Sequence, residues 1–425
     1  MIGPSIGQTV GVDTGGVSRA PTRVTYGSVL RNREFRALML SDGLSSLGDQ
    51  VARIAVALMV LDRSGSALAA SATYALSYLT WMFGGLLLSA LPDRFSRRTV
   101  MIVCDLLRAA LVALLALPGL PLEAIFVVLA AVGLMAPPND AARSALIADL
   151  LDGERYVVAN ALNNLVGQIG QVIGFLLGGA LVVAVGVNGA LLADAATFVV
   201  SALLLRLFVR ERPFQRALST SAVSEVLAGV RLVMADPRLR ALLGWGLLTA
   251  CSVIATEGLA VSVVAEQGGG PFMAGVLTAA APIGFLVGSG LLLRVPPNRR
   301  ERLFPALVLA SCLPLLLTPM LDNLWALGAL WGLAGCGTAL QLVANSAFVQ
   351  AVPIHLRGRA FGFAGATLFA GQGLVLLAAG GLAELTGPRV AVAAIAAACA
   401  LLVLPIFTSL PIAQGRHGLR RSRAL

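Results

Sequence analysis

Long apolar runs, separated by short polar and arginine-bearing segments, recur from Leu38 to Leu410. Each run holds about twenty residues, enough for a helix to cross ~30 Å of hydrocarbon at ~1.5 Å per residue. Lipid offers the backbone no hydrogen-bond partner, so a crossing of this length is expected to be helical. The pattern predicts twelve spans, near 37–61, 68–91, 99–118, 123–143, 157–185, 188–209, 240–265, 272–294, 303–321, 324–350, 360–383 and 389–410. The segments Arg36–Leu61 and Leu324–Gln350 exceed the hydrocarbon thickness and require tilt or protrusion. The expected fold class is an all-α, multi-pass membrane protein.

Composition agrees. Of the chain, 58% is hydrophobic and 12% charged, against roughly 25% charged in soluble domains. All 31 basic residues are arginine, which base composition explains without invoking function. The lack of lysine excludes a phosphate-binding GxxxxGK[ST] loop and a lysine Schiff base. Active transport would then draw on a gradient or a separate ATPase subunit.

The net charge of +10 reads as topology, not nucleic-acid binding. Arg19, Arg23, Arg31, Arg33 and Arg36 precede the first span. Further clusters occupy Arg94–Arg98, Arg210–Arg240, Arg294–Arg302, Arg357 with Arg359, and Arg416–Arg423. With twelve spans all fall on one side, and the opposite loops carry only Arg63 and Arg389. The positive-inside rule then puts both termini in the cytoplasm. Residues 1–30, rich in Gly, Ser and Thr, are expected to be a disordered tail, and no signal peptide is expected. Cys104, Cys251, Cys312, Cys336 and Cys399 stand singly within apolar runs, as packing thiols do. His355 and His417 are the only histidines, which leaves no support for a metal site or a Ser/His/Asp triad.

Arg36-Ala37-Leu38 recurs as Arg240-Ala241-Leu242, an offset of 204. The same register places Gly84 on Gly288, Pro92 on Pro296, Arg98 on Arg302 and Arg155 on Arg359. It predicts two related six-helix halves, 31–210 and 239–412, joined by a cytoplasmic linker, 211–238, and followed by a basic tail, 413–425. Six is even, so the halves have parallel topology and enclose a central site near midplane. Within the linker, Val223–Met234 has helical apolar spacing suited to a helix on the membrane surface.

Several ionisable residues fall inside spans, where they mark function by default. Asp42, Ser45, Ser46, Asp49 and Arg53 form one polar stripe on the first helix, with Asp49 ~16 Å beyond Leu38. An intrahelical Asp49–Arg53 pair, in the favourable acid-first order, is one reading. The repeat supplies another: Glu257 is the counterpart of Arg53, so Asp49, Arg53 and Glu257 are candidates for a charge network that responds to protonation. Asp194 is a further acidic candidate. Asn163, Asn164, Gln168, Gln171, Gln341 and Asn345 either hydrogen-bond between helices or contact substrate. Gly170, Gly174, Gly178 and Gly179 on the fifth helix allow close helix approach, either as static packing or as a moving gate. Trp81, Phe175 and Phe369 read as packing residues in preference to ligand platforms.

The loop Ser89-Ala-Leu-Pro92-Asp93-Arg94-Phe-Ser96-Arg97-Arg98 resembles the G-x-L-x-D-R-x-G-R-R signature of the major facilitator superfamily. Asp93, Arg94, Arg97 and Arg98 match, and both glycine positions carry serine. Gly170-x-x-x-Gly174-Phe175-x-x-Gly178-Gly179 resembles the exporter-associated G-x-x-x-G-P-x-x-G-G pattern, with Phe175 in place of proline. Asn32-Arg-Glu-Phe-Arg36, Ser46-Leu-Gly-Asp49, Asp105-Leu-Leu-Arg108, Ala193-Asp194-Ala-Ala-Thr-Phe198 and Arg357-Gly-Arg359 are similar to the enterobactin-exporter and macrolide-efflux branch. The resemblance implies a bacterial inner-membrane transporter with no cofactor. In that reading Asp93 is a cytoplasmic latch, Arg97 and Arg98 reach Asp140 or Asp149, and Asp105 and Arg108 reinforce the bundle. The twin loop carries Pro297 in place of Asp93, so the latch is expected on one side only.

The expected function is export of small amphipathic compounds (a drug, a macrolide-like compound or a secondary metabolite) by a monomer in exchange for protons. An importer, a metabolite- or siderophore-specific exporter, and a non-transporting sensor or scaffold are the alternatives. Neither a nucleophile–base pair nor a metal cluster supports an enzyme.

Overall fold

A computed structural model of the chain describes residues 26–88, 91–212, 222–353 and 356–409. The N-terminal tail to residue 25, residues 213–221 of the expected linker, His355 and the arginine-rich tail lie outside them, as do the side chains of Asp93, Pro297 and Asn298. The regular elements among the described residues are helices. A short turn, Tyr26–Leu30, precedes α1 (Arg33–Ser64), α2 (Ala67–Leu88), α3 (Arg97–Leu115), α4 (Leu122–Leu150) and α5 (Glu154–Phe208). After it come α6 (Ala222–Ala235), α7 (Pro237–Glu266), α8 (Pro271–Leu293), α9 (Phe304–Met320), α10 (Leu324–Ala351), α11 (Arg357–Thr386) and α12 (Pro388–Ser409). Seven of these helices are long and apolar enough to cross a membrane: α1, α4, α5, α7, α8, α10 and α11. The chain is embedded in a membrane.

Local chemistry sets the boundaries. Asn32 caps α1 by accepting from the Glu34 and Phe35 amides, and Gly65, at φ 64°, closes its other end. Asp236 caps α7 ahead of Pro237, whose missing amide is no loss in a first turn. Ser96 caps α3 through the Thr99 amide. One of the two serines that replace signature glycines therefore anchors the helix that follows the charged loop.

The 55-residue α5 would be ~80 Å long if straight. Gly186 breaks it with φ 73° and ψ 174°, a backbone that only glycine adopts without strain. The chain folds back there, because both arms reach the same part of α1. Gly174 and Gly178 on the first arm pack on Gln50 and Val51, while Asp194 on the second packs on Gly48. On a straight helix residues 174 and 194 would stand ~30 Å apart.

Close approach between helices depends on missing side chains. A Cβ at Gly275 on α8 would lie 2.5 Å from the Phe175 carbonyl oxygen, and one at Gly179 would lie 2.6 Å from that of Pro271. These positions make the α5–α8 crossing a backbone-to-backbone contact. Beside it, Phe175 is fully buried with Ile54 and Ala279. Of the four glycines expected to pack the fifth helix, Gly174, Gly178 and Gly179 meet neighbours, whereas nothing lies within 4 Å of a Cβ at Gly170. The helix expected on the membrane surface, α6, docks on protein: a Cβ at Gly229 would lie 2.3 Å from the Arg359 carbonyl oxygen at the start of α11.

Candidate functional site: a charged cavity between helices

A cavity of about 130 Å³ lies among α1 to α4, the second arm of α5, and α11. Asp49, Arg53, Arg108 and Asp194 line it with Tyr78, Trp81 and Phe369. Four ionisable side chains on apolar helices are expensive unless they find partners, and most of them do.

Of the two readings of this stripe, the intrahelical Asp49–Arg53 pair does not form. Instead Arg108 Nη2 on α3 donates to Asp49 Oδ1 at 2.6 Å, and Arg53 Nη1 donates to Glu257 Oε1 on α7 at 3.2 Å. The guanidinium of Arg108 also covers the Phe198 ring, 4.2 Å from its centroid. The Tyr78 hydroxyl donates to Glu257 Oε2 at 3.4 Å, and Arg53 lies over the Tyr78 ring at 5.6 Å. Arg53 and Glu257, which the 204-residue offset relates, therefore face each other from α1 and α7.

Asp194 stands apart. It is 1% exposed, Thr197 Oγ1 donates to its Oδ1 at 3.3 Å, and its Oδ2 is buried with no hydrogen-bond partner. Its place exists because residue 48 is glycine: a Cβ there would lie 2.1 Å from Asp194 Oδ1.

A second polar layer lies on the arginine-rich side. Arg143 bridges Asp42 and Asp140, reaching Asp140 Oδ1 at 2.7 Å. Trp81 Nε1 donates to Asp140 Oδ2 at 3.2 Å. Asp105 accepts from Asn139 at 2.8 Å and from Ser201 at 2.6 Å, and Ser201 also meets Ser41. Arg97 pairs with Asp149 and donates to the Ala145 carbonyl, while Arg98 donates to the Arg206 carbonyl at 2.6 Å. Of the two acids expected for these arginines, Asp149 takes Arg97 and Asp140 belongs to Arg143. Arg94 is exposed.

Among the amides, Asn164, Gln168, Gln341 and Asn345 are not part of the cavity wall. Asn164 and Asn345 are exposed. Arg143 and Tyr78 were missed by sequence reasoning. Arg143 carried a readable signal, three residues after Asp140 on a helix and therefore on the same face. Tyr78 carried none.

Contacts of α2 with α11 and of α5 with α8 occur at the helix ends remote from Arg97, Arg98 and Arg357. Glu384, near the end of α11, accepts from Ser66 Oγ at 2.6 Å and from the Leu68 amide at 3.0 Å, capping α2. Ser71 Oγ donates to the Leu376 carbonyl at 2.7 Å. The Gly179–Gly275 crossing lies at the same level, eight residues or fewer from the Gly186 and Pro271 ends of its helices.

A helical membrane protein that gathers charge and aromatic rings around an internal cavity has the architecture of a solute carrier. The sequence model of the Major Facilitator Superfamily matches residues 38–327, and the chain belongs to this superfamily of transporters. Multidrug efflux pump Tap of Mycolicibacterium fortuitum is 26% identical over 358 residues, covering 80% of this chain and 87% of that protein. Over 183 residues, 42% of each protein, the chain is 30% identical to the uncharacterized MFS-type transporter YkuC of Bacillus subtilis (strain 168). Among solved structures, a mutant of the nucleoside transporter NupG superposes with a TM-score of 0.72 at 15% identity, covering 89% of this chain and all of that one.

Proposed function

We propose that this transporter is a secondary active exporter of small amphipathic compounds, exchanging them for protons across a bacterial inner membrane by alternating access. In this reading α1 to α4 with both arms of α5 form one half, and α7 to α12 form the other. That makes twelve spans with both termini in the cytoplasm, and α6 is part of the linker. The halves act as a monomer.

The observation that carries the reading is the Arg53–Glu257 pair. A partly buried ion pair contributes little net stability, because desolvation offsets much of its attraction. Its value lies in having two states. Protonating Glu257 releases Arg53 and weakens the seam at the depth of the cavity. Asp49, held by Arg108, and Asp194, with a partnerless oxygen, are further carboxylates able to take a proton beside the same cavity. Contacts sealing the seam away from the arginine-rich loops fit a state closed to the outside. Similarity to a multidrug efflux pump supports export and a broad substrate class.

Drug accumulation in cells with and without the gene tests the reading. Expression should lower accumulation of at least some amphipathic drugs several-fold, and collapsing the proton gradient should erase the difference. Unchanged accumulation across a broad panel would overturn it.

A further inference from the structure

Trp81 on α2 and Phe369 on α11 stack across the seam, with ring centroids 4.0 Å apart and planes 23° from parallel. Tyr78, one turn earlier, approaches Phe369 at 5.8 Å. All three rings line the cavity and are only partly buried. Trp81 is held in orientation by its hydrogen bond to Asp140.

Elsewhere α2 and α11 meet at close range through backbone and through small or aliphatic side chains. Ser71 bonds the Leu376 carbonyl, a Cβ at Gly380 would lie 2.9 Å from Leu68 Cα, and one at Gly373 would lie 2.7 Å from Leu79 Cγ and 3.3 Å from the Ala75 carbonyl oxygen. At Gly380 the approach is to backbone, so a group inserted at that level must part the helices themselves. The Trp81–Phe369 contact is different, since two flat rings stack face to face on the cavity wall with no hydrogen bond between them. It is also the ring contact nearest the arginine-rich end of the seam, where a compound entering from that side arrives.

Size decides what must move. Sites for drug-sized ligands measure ~300–1,000 Å³, and this cavity holds about 130 Å³. The aromatic stack is the wall that parts most readily. Opening it by ~3.5 Å, one carbon–carbon contact distance, admits a flat ring system with Trp81 on one face and Phe369 on the other. The ligand then replaces the lost ring contact with two of the same kind. A tetrahedral group of similar charge is too thick for that gap.

We infer that Trp81 and Phe369 form a ligand subsite selective for planar aromatic ring systems, which enter by intercalating into the stack that joins the two halves. The inference rests on the export reading and names a substrate class for it. A ligand so held touches both halves at once, so its binding sets their spacing.

Two cations of equal charge and different shape test the inference: proflavine, which is flat, and tetraphenylphosphonium, which is not. Their affinities are measured by equilibrium dialysis on full-length protein in nanodiscs. Trp81→Leu and Phe369→Leu should each weaken proflavine about tenfold and change tetraphenylphosphonium less than about twofold, and Trp81→Phe should restore most of the proflavine affinity. Retained tetraphenylphosphonium binding certifies that the variants are folded. If the variants weaken both cations alike, or neither, the inference falls while the export reading stands. If the wild-type protein binds neither cation, the inference falls, while the export reading is decided by the accumulation panel.

Discussion

At the scale of single residues, the site depends on what is absent as much as on what is charged. Gly48 leaves the space that Asp194 and Thr197 occupy, with a Cβ there only 2.3 Å from Thr197 Oγ1. Gly48→Ala should push the carboxylate out of its niche. The expected loss is about 1–3 kcal/mol, the usual scale of overpacking, read as an earlier thermal unfolding transition in detergent. Asp194→Asn keeps the shape and removes the charge, so it should unfold no earlier than wild type while altering the proton dependence of transport. The sequence displayed Asp42, Asp49, Arg53, Asp194 and Glu257 because charge inside an apolar run is conspicuous. Their partners were less visible. Arg108, Arg143 and Tyr78 meet those acids through pairs separated by 59, 101 and 179 residues, and only packing decides such distances. The favourable i,i+4 spacing of Asp49 and Arg53 pointed to a local pair, but each found a better partner on another helix.

At the scale of elements, apolar periodicity located the helices well because membrane length and backbone satisfaction leave the chain few alternatives. The break between the fifth and sixth spans was legible as a gap around residue 186, although the helix runs to it from both sides. Docking was not legible: α6 has the pattern of a surface helix, yet Gly229 seats it on the start of α11. The cap that Glu384 places on α2 joins elements more than 300 residues apart. Glu384→Ala removes two hydrogen bonds to a charged acceptor at a mostly exposed site. About 1 kcal/mol of support for the closed seam should be lost after solvent screening, roughly a fivefold shift in the balance of states. Spin labels near the start of α2 and the end of α11 should report a larger population at long separation. An unchanged distance distribution would show that the cap does not help hold this end shut. Gly275→Val should act in the same direction and more strongly, since its side chain would enter the Phe175 backbone.

At the scale of the molecule, the two repeats make the transport proposal specific. In the proposed two-repeat arrangement Arg53 and Glu257 are one position seen twice, with opposite charge, and they meet beside the cavity. A carrier that trades protons for substrate needs such a contact to open and close during the cycle. The most direct test is uptake of radiolabelled ethidium, a permanent cation, into potential-clamped proteoliposomes with an acidic lumen. The wild-type protein should concentrate ethidium in the lumen until an ionophore dissipates the proton gradient. Glu257→Gln and Asp49→Asn should each lower that uptake at least tenfold while still binding ethidium. Full gradient-driven uptake by both variants would contradict the account.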